Sequence, residues 1–109
     1  MKRGDIVIAT APGFGKKPRP YVLVQADEYT ALTTAILLPI TTMLANPPSA
    51  LRVPVAPSDA NGLLEDSEVM TDIPVTARAE RIHRHVGALA PEDMDRVQDA
   101  FAVVLGFAG

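Results

Sequence analysis

Ten prolines are spread through the connections of a 109-residue chain, and they favour short, stiff loops over a helical bundle. The apolar residues between them fall into runs of strand length. Asp5 to Ala9 is a short β-branched run, stopped by Pro12-Gly13-Phe14-Gly15, whose proline and glycines mark a loop. Tyr21 to Ala26 and Leu32 to Ile40 are nearly continuous in apolar character, which predicts central strands buried on both faces. Ala50 to Val55 alternates, with Leu51, Val53 and Val55 facing one way; Pro54 cannot donate to a ladder, so this strand belongs at an edge or a bulge. Asn61-Gly62 marks a turn, Ser67 to Ile73 a fifth strand, Arg78 to Ile82 a helical turn and His83 to Leu89 a last strand. The chain then changes period. Pro91 suits the first position of a helix, and Glu92 and Asp93 lie where the helix dipole favours negative charge. Met94, Val97, Phe101, Val104 and Leu105 share one face, and Gly106 is placed to end the helix. The expectation is one domain over residues 1–109, mainly β and closed by a helix packed on the sheet.

An apolar content of 48% is enough for a modest core at this length. There is no cysteine, which excludes disulfides, thiolate metal sites and cysteine nucleophiles. No stretch approaches the roughly 18 apolar residues of a membrane span, and the chain reads as soluble and cytoplasmic. The net charge of -3 argues against a general nucleic-acid coat, which phosphate neutralisation would make basic. The charge is nevertheless clustered. Lys2, Arg3, Lys16, Lys17 and Arg19 face only Asp5 before Gln25, whereas Asp59, Glu65, Asp66, Glu68 and Asp72 form a stretch with no base. A second basic stretch holds Arg78, Arg81, His83, Arg84 and His85. Such clustering allows a local anion site on an acidic body, with solvated loop charges as the plainer alternative.

Two strands deliver phosphate-compatible groups at one end. Arg19-Pro20 opens the first, and Thr41-Thr42 closes the second. A guanidinium fork matches phosphate oxygens and stays protonated, which suits a charge-stabilising role and makes Arg19 a poor general base. Thr41 and Thr42 could equally satisfy loop backbone groups. Gly13-Phe14-Gly15-Lys16 lacks the spacing and the following helix of a P-loop. His83 and His85 would share a strand face, but with no third ligand in view and Arg81 and Arg84 beside them, exposed strand histidines are the better reading and no metal site is expected.

Arg3-Gly4-Asp5-Ile6-Val7, Arg19-Pro20-Tyr21-Val22-Leu23-Val24-Gln25, Pro39-Ile40-Thr41-Thr42, Asn61-Gly62-Leu63 with Asp66-Ser67, Val86-Gly87-Ala88-Leu89, and Pro91-Glu92-Asp93-Met94 leading to Leu105-Gly106-Phe107 occur in register over essentially the whole chain. Together they resemble the MazF/PemK toxins of bacterial toxin-antitoxin modules. The resemblance implies a small SH3-like, partly open β-barrel of the CcdB/PemK/MazF type with a C-terminal helix. It also implies a homodimer, metal-independent and cofactor-free cleavage of single-stranded RNA, and control by a cognate antitoxin. Through the same resemblance Arg19 and Thr41 take catalytic roles, and Asp72 aligns with an acid that PemK-type relatives use as a base. Those relatives carry arginine where this chain has Met70 and Val75, and their loop before the Arg-Pro motif is longer than Pro12 to Pro18. On this reading Lys16 and Lys17 touch RNA phosphates, Thr42 joins the RNA-binding surface, and Phe14 stacks on a base; the alternative is that Phe14 only caps the barrel. Two other functions stay open: a degenerate member that only binds RNA or protein, and a CcdB-like gyrase poison. The latter depends on a C-terminal tryptophan, which this chain lacks.

Overall fold

In the computed structural model, which describes residues 1–108, Tyr21, Val22 and Leu23 are all fully buried. Successive residues of a strand point to opposite faces, so three buried in a row require apolar cover on both sides. They belong to β2 (Arg19–Leu23), which lies between β1 (Asp5–Ala9) and β3 (Thr34–Thr41). One face packs Ile6, Val22, Leu38 and Ile40 with Val53, Val55, Val69, Met94 and Val97. The other packs Val7, Ala9, Tyr21, Leu23 and Leu37 with Ala11, Ala35 and Ala77.

The remaining strands are β4 (Arg52–Val55), β5 (Ser67–Met70), β6 (Val75–Arg78) and β7 (Ile82–Ala88). All pairings are antiparallel, in the order β4-β5-β3-β2-β1-β7, with β6 on the first half of β3. A 3-10 turn at Ala79–Arg81 joins β6 to β7, and the Thr10 N–H donates to the Arg81 carbonyl at 3.1 Å. The curled sheet is thereby drawn towards closure at the end of β1. The helix α1 (Pro91–Val104) starts at the expected proline and buries Met94 and Val97. Full burial of each such side chain contributes about 1.5–3 kcal/mol.

Several boundaries differ from the sequence reading, each for a local reason. β2 begins at Arg19 because Arg19 and Pro20 pair with Ala9 and Ile8. It stops at Leu23 because Gln25 leaves the ladder and its side chain takes over, Oε1 accepting from the Ile36 N–H. β3 correspondingly starts at Thr34 and reaches Thr41. β4 begins at Arg52 and lies at the end of the strand order, with Pro54 exposed, as an edge proline requires. β5 ends at Met70: Thr71 turns back through N–H and hydroxyl bonds to the Leu51 carbonyl, at 3.1 and 2.6 Å. The strand β6 was not expected. It is four residues long, too short for alternation to stand out. Leu105 lies beyond the helix and is exposed, not on the packed face.

Asn61-Gly62 is a turn laid against β7. The buried Asn61 amide accepts from the Ser58 and Leu63 N–H groups and donates to the Ala56 carbonyl. Gly62 has φ +70°, and a Cβ there would meet Val86 Cγ1 and O at 2.7 Å. A Cβ on Gly87 would press on the Ala60 carbonyl oxygen and lie 2.6 Å from the Asn61 carbonyl carbon. Backbone cannot yield as a flexible side chain can. Gly87→Ala is expected to destabilise the fold by about 2 kcal/mol or more, read from denaturant midpoints at unchanged m-value.

Candidate active site

The β2–β3 register pairs Tyr21 with Pro39, Val22 with Leu38 and Leu23 with Leu37. Continued to the strand ends, it sets Arg19 opposite Thr41. Alternation puts both on the face shared by Tyr21 and Pro39. Arg19 is exposed at the first position of β2, and Thr41 is half-buried at the last position of β3. The guanidinium and hydroxyl foreseen as a pair thus lie at one end and on one face of two adjacent strands.

The hydroxyl has a defined direction. Thr41 Oγ1 accepts the Met43 N–H at 3.0 Å, so one lone pair is occupied while the O–H remains a donor. Thr42 and Met43 follow as exposed bend residues. A clasp missed by sequence reasoning fixes this bend. Glu68, Thr41's partner on β5, is largely buried, and its Oε1 accepts from the Ala45 N–H at 2.9 Å and from Arg52 Nη1 at 3.2 Å. Arg52 Nη1 also donates to the Met43 carbonyl at 3.2 Å. One ion pair therefore ties both sides of the loop that leaves Thr41. The sequence offered little signal, because Glu68 follows Glu65 and Asp66 and reads as one more charge of that acidic stretch.

Tyr21 is the second residue not foreseen. It is fully buried two positions from Arg19, and its hydroxyl has no hydrogen-bond partner. Burial pushes the phenol above its ordinary value, while the Arg19 charge pulls the other way. Phe14 covers it edge-to-face, with ring centroids 6.1 Å apart. Half-buried Phe14 thus occupies the capping position considered as its alternative. Lys16 and Lys17 are exposed on the same loop.

Asp72 lies elsewhere. It is exposed in the connection between β5 and β6, on the side of β3 away from β2. The flanking pairs, Ile40 with Val69 and Leu37 with Val75, put this connection beside the middle of β3, roughly 10 Å along the strand from Thr41. The geometry of one subunit does not bring Asp72 to the Arg19–Thr41 pair. His83 bonds Thr10 through Nε2 at 3.0 Å, and His85 faces Asp5 at 3.4 Å. Among the described residues, no three His, Asp or Glu side chains are grouped to hold a metal ion.

Comparison with known proteins now bears on this geometry. Residues 2–105 match the family model of PemK-like, MazF-like toxins of type II toxin-antitoxin systems. The chain belongs to this family. It is 38% identical over 110 residues to a probable endoribonuclease MazF of Mycolicibacterium smegmatis, covering 100% of both chains. The toxin MazF-mt6 of Mycobacterium tuberculosis superposes with a TM-score of 0.80 at 25% identity, covering 96% of this chain and 99% of that one. A mycobacterial endoribonuclease in complex with its cognate antitoxin superposes with a TM-score of 0.84 at 20% identity, over 100% of this chain and 98% of that one, and shares the fold. The antiparallel seven-stranded sheet with one C-terminal helix is therefore the architecture of MazF toxins.

Two outcomes test the local account. Glu68→Ala leaves the Ala45 N–H unpartnered and Arg52 with the Met43 carbonyl but no counter-charge, and is expected to destabilise the protein by about 1–3 kcal/mol in denaturant titration. Tyr21→Phe removes an unpartnered buried hydroxyl and is expected to stabilise by about 1 kcal/mol at neutral pH. Above the ordinary phenol value of 10.0 the unfolded chain ionises at Tyr21 before the folded one, so wild-type stability falls as pH rises through the folded value. The variant lacks that contribution to the alkaline loss, and its advantage over wild type widens in melts above pH 10.

Proposed function

We propose that this family member is an endoribonuclease that cuts single-stranded RNA, messenger RNA in particular, through the RNA's own 2′-hydroxyl. The observation that carries the reading is that Arg19 and Thr41 stand at the same end of two adjacent central strands and on one face. Attack of the 2′-oxygen on phosphorus builds negative charge on the non-bridging oxygens. Donors already aimed at that charge lower the barrier without reorganising. Arg19 presents its fork of N–H groups, and Thr41 donates its O–H, the oxygen being held by Met43. The 2′-oxygen gives its proton to solvent water as it bonds to phosphorus, the P–O5′ bond breaks, and the leaving 5′-oxygen takes a proton from water, so the products carry a 2′,3′-cyclic phosphate and a 5′-hydroxyl. Side-chain donors suffice for this stabilisation. Asp72 stands outside the pair, and the base role suggested by resemblance is not part of this proposal. Lys16, Lys17 and Thr42 extend the phosphate-binding surface, and Phe14, half-buried over Tyr21 on the same loop, is the aromatic ring available to a base there.

The protein acts on this reading in the cytoplasm, as a homodimer silenced by a cognate antitoxin. Among the described residues no helix is long and apolar enough to cross a membrane. Exposed Val103, Leu105 and Phe107 at the end of α1, with Met43 and Leu44 beyond Thr41, offer apolar surface to a second subunit or to the antitoxin. Arg19→Ala is expected to lower cleavage of a long single-stranded RNA by about 10² or more at unchanged melting temperature. Undiminished cleavage by that variant would remove Arg19 from the mechanism, and an inactive wild type would leave a binding module.

A further inference from the structure

The second basic stretch is not used by the Arg19–Thr41 pair. Arg78 closes β6, Arg81 ends the following 3-10 turn, and both side chains are exposed. Between this turn and the Pro12–Pro18 loop lies a cavity of about 500 Å³, lined by Lys16, Arg78, Arg81, Thr10 and Thr76 among others. Its charged lining residues are all cationic. Glu80 pairs with Arg78 Nε at 3.0 Å, but both side chains are at least 70% exposed and the pair leaves the terminal guanidinium nitrogens free to donate. Three like charges around one concavity repel each other, and nothing in the packing requires them there. The arrangement is complementary to an anion, and guanidinium and hydroxyl donors together match phosphate oxygens.

The floor is apolar. Ala11 and Ala77 line the cavity and belong to the same buried cluster as Tyr21, whose hydroxyl lacks a partner. Register fixes the cavity relative to the candidate active site. Arg19 pairs with Ala9, Ala9 pairs with Ile82, and Arg81 immediately precedes Ile82. Thr41, Arg19, Ala9 and Ile82 thus form one row across four strands. At about 4.8 Å per strand, Arg81 stands roughly 10–15 Å from the scissile position.

We propose that this cavity is a second phosphate subsite, holding a backbone phosphodiester of the single-stranded RNA a few nucleotides from the cut. The proposal rests on the ribonuclease reading. It assigns Arg78 and Arg81 to substrate binding, with Lys16 closing the loop side. The charges draw the strand along the row, so the site reads backbone and not base identity.

The test uses the full chain and a 2′-O-methyl RNA oligonucleotide, which cannot be cleaved through its own hydroxyl. Its Kd is measured by fluorescence anisotropy across a salt series for wild type, for Arg78→Gln with Arg81→Gln, and for Arg78→Lys with Arg81→Lys. Loss of the one phosphate contact is expected to flatten the slope of log K against log salt by about 0.7, the value per phosphate on a single strand. The lysine pair restores the slope. An unchanged slope in the glutamine variant, while wild type still binds this RNA and cleaves unmodified RNA, overturns the subsite and leaves the ribonuclease reading standing. A slope lost equally in the lysine variant overturns it too. Wild type that neither binds nor cleaves RNA overturns both. A decaglutamate peptide that loses affinity in the glutamine variant, with the RNA slope unchanged, assigns the cavity to a protein carboxylate and overturns the proposal.

Discussion

The antiparallel pairing of β2 with β3 is the constraint on which the rest depends. It puts Val22 and Leu38 into one core and Tyr21 and Leu37 into the other, and its continuation brings Arg19 to Thr41. A buried proline in so central a strand looks like a defect, since Pro39 has no N–H to give. The hydrogen bonds resolve it. Ile36 directs its carbonyl to Val24 and its N–H to Gln25, both on the β2 side. Alternation then turns the nitrogen of Pro39 to the opposite side, where β3 changes partner from β6, last paired at Leu37, to β5, first paired at Ile40. Pro39 therefore lies where no ladder bond is asked of it. Its missing donor also disfavours extension of either neighbouring strand across the gap.

Much of this was legible in the sequence because it follows from local chemistry. Continuous apolar runs mark two-faced strands, Pro54 marks an edge, and Pro91 with Glu92 and Asp93 marks a helix start. Arg19 and Thr41 were legible as strand-end polar groups, and the resemblance gave them roles. What was not legible depends on pairs distant in the chain. The Glu68–Arg52 clasp needs β5 between β3 and β4, a neighbour relation that no spacing encodes. The unpartnered Tyr21 hydroxyl is defined by what surrounds it, and Tyr is an ordinary strand residue. β6 exists because four residues complete the edge of β3, a tertiary gain that local propensity does not register. Asp72 was expected inside the fifth strand, but the chain leaves β5 at Met70, two residues earlier, because Thr71 turns back to the Leu51 carbonyl.

The departures from the relatives' pattern have physical counterparts. Met70, where PemK-type relatives carry arginine, is half-buried and lies directly across from Arg52. The guanidinium in this part of the sheet is supplied from β4 and is engaged by Glu68 and the Met43 carbonyl, so here it supports a loop. Val75 packs against the cluster around Tyr21 and Leu37, where an arginine would have to bury its charge or leave the strand face. At both positions this chain has a packing residue and no cation, so apart from Arg52 the cations of this side of β3 stand at the end of β6 and in the turn after it, at Arg78 and Arg81.

The two ends of β7 have different surroundings. Near its first residue, Ile82, stand Arg78, Arg81 and the Lys16 loop. Near Val86 and Gly87, roughly 13 Å further along the strand, the Asn61-Gly62 turn is pressed down by the two glycine contacts. This turn belongs to the segment that carries Asp59, Glu65 and Asp66. An acidic protein would ordinarily repel RNA at distances beyond contact. Here Asp59 sits in the turn held beside Gly87, while Lys16, Arg78 and Arg81 gather at the other end of β7 around a cavity, with Glu80 paired to Arg78. A Debye length of about 8 Å at physiological salt is shorter than the roughly 13 Å between these two ends of β7, so the charges at one end are largely screened from the other. The backbone approach that excludes a side chain at Gly87 thus fixes the Asn61-Gly62 turn, and Asp59 within it, at the end of β7 away from Arg81.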